Sequence, residues 1–312
     1  MEDRLPASSF PTLRQLQFLT ALDACGSFVR AAEAVGVTQP TLSAGVKELE
    51  AVLGVVLVER GRAGAVLTAA GEEAARRASN ALAEVEDLVR AAQRSRGPLT
   101  GQFRLGAIPT IAPFLLPRAL KLLRTTFPDL RLSLREEVSS RLVEALRMRT
   151  LDAALIALPY EAVGIETEII ADDEFLLVTP PGHPLATRDH LAPSDLAGED
   201  LLLLEDGHCL REHALSVCDL PQSRAAAEVG ATSLHTLVQM VAGGLGLTLL
   251  PKIAADGGAA QGANVKMRSF DKPVMGRAIG IAWRAGSSRR EEARLIAETL
   301  RLPAGPAGSA GA

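Results

Sequence analysis

Between residues 69 and 96 the apolar side chains are spaced for one long helix, and that stretch splits the chain into two differently patterned parts. Ala74, Ala78, Ala81, Val85, Leu88 and Ala92 fall alternately four and three positions apart, the repeat of a seam along a helix that lies against a second helix. The flanking positions are mostly charged, so the seam favours another copy of the same helix over the chain's own core. The seam demands a pair, so a homo-oligomer, at least a dimer, is expected, and the many alanines imply close but modest packing. Gly97-Pro98 stops the helix and marks a domain boundary. Ahead of it the pattern is helical throughout. Behind it, strand and helix patterns alternate.

The helical part reads as three short helices. Leu16, Leu19 and Leu22 form a stripe over residues 13–24, and Gly26-Ser27 breaks it, with Ser27 placed to cap a helix over residues 28–35. Gly36-Val37-Thr38 is a tight connection. A third helix follows, with Thr38 as its cap and Pro40 in its first turn. Its apolar positions, Leu42, Val46, Leu49 and Leu53, leave Gln39, Thr41, Ser43 and Lys47 on other faces. Two helices joined by a short glycine turn, the second offering small polar side chains at its start, have the layout of a helix-turn-helix, although an ordinary helical hairpin has the same pattern. Residues 55–58 and 65–67, around Gly61-Arg62-Ala63-Gly64, read as a small two-stranded wing.

Bulk charge adds nothing to a nucleic-acid reading. The 312-residue chain carries a net charge of −4, and residues 1–96 hold 11 Lys and Arg against 12 Asp and Glu, a net of −1. Affinity for DNA must then depend on where Arg14, Arg30, Lys47, Arg60 and Arg62 point. Hydrophobic residues make up 47% of the chain and aromatics only 3%, so the cores are built from Leu, Val and Ala. Three cysteines form no secreted disulfide framework, which points to a reducing cytoplasm. No apolar run reaches the roughly 20 residues of a membrane span. The five histidines are scattered without ligand spacing to the cysteines, so no metal and no cofactor is expected.

After Gly97-Pro98, strands are expected at 103–108, 131–136, 152–158, 174–179, 200–204, 225–229, 247–250 and 278–283, with helices at 113–126, 139–148 and 233–241. The alternation predicts an α/β domain with a largely parallel sheet. The tail, residues 303–312, is Pro, Gly, Ala and Ser, and disorder is expected there.

Within this domain the run from Leu201 to Glu212 brings an apolar strand to Glu205-Asp206-Gly207-His208-Cys209-Leu210-Arg211, and Cys218 stands nine residues beyond Cys209. A helix starting at Cys209, with His208 and Arg211 beside it, favours the reactive thiolate. Nine residues of helix separate two Cα atoms by roughly 13 Å, whereas a disulfide tolerates about 7 Å. If residues 210–217 are helical, the two sulfurs can join only when that segment refolds. The bland reading is a pair of unrelated buried cysteines acting as small hydrophobes, the role expected of Cys25.

Over nearly its whole length the chain resembles the LysR-type transcriptional regulators. The resemblance is carried by Ala31-Ala32-Glu33-Ala34, by Val37-Thr38-Gln39-Pro40-Thr41-Leu42-Ser43 running on to Lys47-Glu48-Leu49-Glu50, and by Gly106-Ala107-Ile108-Pro109-Thr110, Leu115-Leu116-Pro117, Ala231-Thr232-Ser233-Leu234 and Leu249-Leu250-Pro251. It implies a winged helix-turn-helix DNA-binding domain over residues 1–68, a linker and dimerisation helix over 69–96, and a regulatory domain over 97–302. That last domain is implied to be two α/β subdomains, periplasmic-binding-protein-like, joined by crossovers near 159–163 and 267–270. Arg30, Gln39, Pro40, Thr41, Ser43, Lys47, Arg60 and Arg62 are then the residues that meet double-stranded promoter DNA, RNA polymerase is an implied partner, and the resemblance suggests a tetramer where the seam alone demands a dimer.

The segment from Glu205 to Arg211, with Cys218, is similar to the sensing region of the family's hydrogen-peroxide-responsive activators. That similarity implies Cys209 as the oxidised residue, Cys218 as the resolving one, and Thr110, Ser139, His208 and Arg284 as peroxide-binding groups, with cellular thiol reductants resetting the disulfide. Two departures stand out. Gly45 lies inside the recognition helix, at a cost of about 1 kcal/mol relative to alanine, and residues 219–224 form a shortened segment after Cys218. Two other functions remain open at this point. One is a LysR-type regulator holding a small organic anion in the cleft between subdomains. The other is a thiol peroxidase, which would have no use for the DNA-binding third of the chain.

Overall fold

The computed structural model describes residues 10–61, 64–92, 99–205, 207, 209–217, 231–271 and 276–301. The chain divides into two compact units, residues 1–96 and 97–312.

The first unit is built on α1 (Leu13–Cys25), α2 (Phe28–Ala34) and α3 (Gln39–Leu53), followed by strands β1 (Val58–Gly61) and β2 (Gly64–Leu67) and the long helix α4 (Ala69–Ala92). α1 opens with a reciprocal cap, the Thr12 hydroxyl accepting from Gln15 N–H and the Gln15 side chain accepting from Thr12 N–H. Phe18, Leu19 and Leu22 of α1 pack on Ala31, Ala32, Leu42, Val46 and Leu49. Cys25, at the end of α1, lies half-buried against the same cluster.

Gly45 is a packing feature of this core. A Cβ there would sit 2.5 Å from the Phe18 ring, so the bare backbone of α3 faces α1 and not a DNA groove. The wing begins three residues later than its sequence pattern suggests, because the Glu50 carboxylate accepts from the N–H groups of Leu57 and Val58 and holds that turn against α3. Along α4, Ala75 and Ala78 are buried in the unit's own core, whereas Ala81 is exposed and Leu88 is 68% exposed.

The second unit begins with β3 (Gly101–Ala107), α5 (Ala112–Thr126), β4 (Leu130–Glu136), α6 (Ser139–Arg147) and β5 (Ala153–Leu158). A 15-residue strand, β6 (Ile165–Thr179), then leads through two short 3₁₀ turns to α7 (Cys209–Val217). After it come α8 (Leu234–Ala242), β7 (Thr248–Pro251), α9 (Lys252–Asp256), β8 (Lys266–Ser269), β9 (Gly276–Arg284) and α10 (Arg290–Leu300). The strand order is β4-β3-β5-β9-β6-β7, with β8 pairing β6.

This sheet corrects the expectation of a largely parallel one. β3 runs parallel to β4 and β5, but β9 is antiparallel to both β5 and β6, and β6 is antiparallel to β7 and β8. A buried strand reads as the same apolar run whichever way it points, so direction is decided by the connections and not by the run. Two further strand expectations change. Residues 200–204 form only isolated bridges, Leu201 to Leu247 and Leu204 to Ala231, and the strand expected at 225–229 lies outside the described residues.

Two apolar clusters fill the unit. One gathers β3, α5, β5, β9 and α10 around Phe103, Ile156 and Trp283; the other gathers β6, β7, α8 and the 201–204 segment around Phe175, Leu204 and Leu250. The long strand β6 runs from one to the other, giving the two-lobed, periplasmic-binding-protein-like architecture. Among the described residues, no helix is long and apolar enough to cross a membrane.

Candidate functional site

In a sheet of this kind ligands gather beyond the carboxyl ends of the parallel strands. There β3 leads into the loop 108–110 and β4 into residues 137–138 at the start of α6. α7 brings its first residue, Cys209, to the same place. The segments 108–110 and 138–139, with Gly207 and Cys209, enclose a small cleft into which no water-sized sphere fits. Cys209 is 8% exposed, Ser139 3% and Thr110 2%. The structure thus brings together three of the residues singled out from sequence.

Their surroundings decide what each hydroxyl can do. Thr110 is not the cap of α5; that position falls to Ile111. The Arg277 guanidinium donates to the Thr110 hydroxyl oxygen at 2.8 Å and to the Thr110 carbonyl at 3.1 Å. With that lone pair occupied by a cationic donor, the Thr110 hydroxyl keeps its own O–H as a donor. Ser139 is the first residue of α6, after the cap Val138, and its Oγ is buried with no hydrogen-bond partner among the described residues. A buried hydroxyl left without a partner is costly and calls for a reason.

Arg277 is the residue that sequence reading passed over. It is buried, and its Nε lies 3.0 Å from the Asp173 carboxylate, whose other oxygen accepts from Ile253 N–H at 2.9 Å. Burial pushes the Asp173 pKa up, against the pull of Arg277 and the Ile253 N–H. One cation therefore connects the β3 loop, the middle of β6 and the start of α9.

Arg284, the expected cation, is not part of this cluster. β9 is antiparallel to β5, pairing Ala278 with Leu158 and Ala282 with Ala154. The start of β9 therefore lies at the carboxyl end of β5, beside the cleft. Arg284 closes the strand at the opposite end, about 23 Å further along, where its guanidinium donates to the Ala285 carbonyl.

α7 carries a further titratable group near the cleft. His213, one turn beyond Cys209, places Nε2 3.2 Å from the Pro159 carbonyl oxygen, and burial lowers its pKa. Burial raises the Tyr160 pKa, and the nearby charges of Cys209 and Glu212 push it further up. His208 and Cys218 lie outside the described residues, as do the shortened 219–224 segment and the tail.

On the recognition helix Gln39, Pro40, Thr41 and Lys47 are exposed and Ser43 half-buried, all on faces away from Leu42, Gly45, Val46 and Leu49. The Thr38 and Thr41 hydroxyls are 2.8 Å apart. Arg30 is exposed, and its guanidinium donates to the Cys25 carbonyl. The Arg60 side chain and Arg62 lie outside the described residues. No group of three or more His, Cys, Asp or Glu side chains suited to a metal ion occurs among the described residues.

Residues 13–72 match the model of the bacterial regulatory helix-turn-helix proteins of the LysR family, and residues 96–302 match the LysR substrate binding domain. The chain belongs to the LysR family of transcriptional regulators. It is 41% identical over 292 residues, 93% of its length and 94% of the relative's, to the "Probable hydrogen peroxide-inducible genes activator" of Streptomyces viridosporus. A cysteine-to-aspartate variant of full-length OxyR from Pseudomonas aeruginosa superposes with a TM-score of 0.77 at 34% identity, covering 94% of this regulator and 98% of that chain. A cysteine variant of Corynebacterium glutamicum OxyR, described as bound to H2O2, superposes with a TM-score of 0.65 at 36% identity over 94% and 92% of the two chains.

Proposed function

We propose that this LysR-family regulator is a peroxide-responsive activator in which Cys209 is the oxidised residue and Cys218 resolves it. The observation that carries the proposal is the small cleft at Cys209. Cys209 lines it together with Thr110, whose hydroxyl accepts from Arg277, and Ser139, whose hydroxyl has no partner among the described residues. As it stands the cleft is too small to hold an organic anion. Hydrogen peroxide, with two heavy atoms, is the smaller of the two candidate effectors. The chain's likeness to a probable hydrogen peroxide-inducible genes activator and to OxyR supports the same reading.

The chemistry follows. The Cys209 thiolate attacks one peroxide oxygen and the O–O bond breaks, leaving a sulfenic acid. The departing oxygen takes a proton and leaves as water, helped by donors such as the Thr110 and Ser139 hydroxyls. The Cys218 thiol then displaces water from the sulfenate sulfur, forming the disulfide. Closing so short a loop constrains the unfolded chain by roughly 2–3 kcal/mol, which native strain can cancel, so cellular thiols can reset the switch. His208 takes part as a donor or loop anchor in this scheme.

The division of labour we propose assigns residues 1–68 to promoter DNA, 69–96 to pairing of copies and 97–302 to sensing. Refolding between Cys209 and Cys218 alters the surface through which regulatory domains pair and re-aims the DNA-binding helices, with consequences for RNA polymerase.

The test is a thiol count after one equivalent of hydrogen peroxide. Wild type is expected to lose two thiols, Cys218→Ser to hold a trapped sulfenate, and Cys209→Ser to stay inert. Unchanged wild-type thiols would overturn the proposal and leave a regulator with a different effector.

A further inference from the structure

α7 bridges the two apolar clusters, Cys209 packing into the first and Leu210, Ala214 and Leu215 into the second. His213 stands one turn from Cys209 on the same helix face. Its Nε2 meets the Pro159 carbonyl at the end of β5, in the first lobe. A carbonyl only accepts, so Nε2 carries the proton, and Nδ1 is left as a buried lone pair without a partner among the described residues.

We propose that His213 is a positioning residue, latching α7 to the Pro159 carbonyl and setting how readily Cys209 leaves its cleft for Cys218, and that protonation of the imidazole opens the latch. This rests on the oxidation scheme above. Joining the two sulfurs requires the start of α7 to unwind, and the His213 hydrogen bond ties that helix to the lobe it must leave.

The acid response follows from what surrounds the ring. A second proton would sit on Nδ1, where no acceptor waits. From β9, the Arg277 guanidinium opposes another positive charge, although the Asp173 carboxylate of β6 shares it. The crossover after β5 contributes the phenol of Tyr160 and the exposed carboxylate of Glu161. The Pro159 carbonyl, which accepts from Nε2 in either protonation state, favours the charge, as does Glu212 on α7 itself, while Arg211 is directed to the Leu204 carbonyl. Burial dominates the balance and holds the docked imidazole below its ordinary pKa. Released, it returns to about 6.5. The latch is therefore whole above that pH and weakens as pH falls through it toward the docked value.

The experiment is hydrogen exchange of residues 210–217 in the reduced protein at pH 8 and pH 5.5, corrected for intrinsic rates, in wild type, His213→Ala and His213→Gln. Glutamine keeps an N–H donor but does not titrate. At pH 8 the alanine variant is expected to exchange about fivefold faster than wild type, the worth of one neutral hydrogen bond, and glutamine to restore slow exchange. At pH 5.5 wild type should loosen relative to the glutamine variant. Equal exchange in wild type and alanine at pH 8, glutamine as fast as alanine, or no acid loosening of wild type relative to glutamine each overturns the latch.

A parallel stopped-flow arm follows sulfenate and then disulfide formation, with the second step expected to quicken in His213→Ala while the first does not. If peroxide leaves Cys209 untouched but exchange behaves as expected, the oxidation scheme fails and the latch stands as a conformational tie. If Cys209 is oxidised while exchange ignores His213, the latch fails alone.

Discussion

Replacing Ser139 by alanine should make the reduced protein more stable and its reaction with peroxide slower. The Ser139 Oγ is buried without a hydrogen-bond partner in a cleft that admits no water-sized sphere. Burying a hydroxyl in that condition costs about 1–3 kcal/mol. Alanine removes the penalty and adds a few tenths of a kcal/mol in helix propensity at the start of α6; against these stands the small void left by one oxygen. A net gain of about 1 kcal/mol is expected, which raises Tm by roughly 2–4 °C for a unit of this size. The same change removes a donor for the departing peroxide oxygen, and oxidation of Cys209 should slow by about ten- to a hundredfold. Calorimetry of the reduced protein and stopped-flow thiol loss measure the two quantities. An unchanged or lower Tm would mean that the hydroxyl is satisfied in the resting state. An unchanged rate at higher Tm would remove Ser139 from the chemistry.

The two arginines of β9 separate cleanly. Arg277→Met strands Asp173 in the core without its cation and releases Thr110, so stability should fall by about 3–5 kcal/mol in thermal unfolding and peroxide oxidation should slow. Arg284→Ala should change stability by no more than about 0.5 kcal/mol and leave the oxidation rate within experimental error; a large rate loss there would refute the placement of the cation at the other end of the strand. In the DNA-binding domain, Gly45→Ala gains about 1 kcal/mol of helix propensity but drives a Cβ to within 2.5 Å of the Phe18 ring, an overpacking cost of about 1–3 kcal/mol. The net should be a loss in the domain's unfolding transition, relieved in a Gly45→Ala, Phe18→Leu double variant, whereas a more stable single variant would show that the ring gives way freely.

Much of the first unit was legible because its signals are local. The Gly36 turn, Pro40 in a first turn and the Leu42, Val46, Leu49 stripe each act within one or two helical turns, and all three helices form where these signals put them. The start of a helix at Cys209 was legible for the same reason. So was a stripe that went unread, Ala293, Ile296, Ala297 and Leu300, all buried along α10. The direction of a strand has no such local sign. β9 is an apolar run either way round, and only its antiparallel pairing with β5 and β6 puts Arg277 beside the cleft and Arg284 away from it. The role of Gly45 likewise waited on the Phe18 ring, which approaches from another helix.

What the sequence determined by itself was therefore the helices of the first unit, many of the strands and helices of the second, the division between the two units and the family, because helix periods, caps and turn residues act over a few positions. What tertiary structure alone decided was the company each functional group keeps. Thr110, Asp173 and Arg277 are far apart in the chain yet share one hydrogen-bonded network. Their meeting depends on the order and direction of strands, a property of the whole sheet that no short stretch of residues encodes.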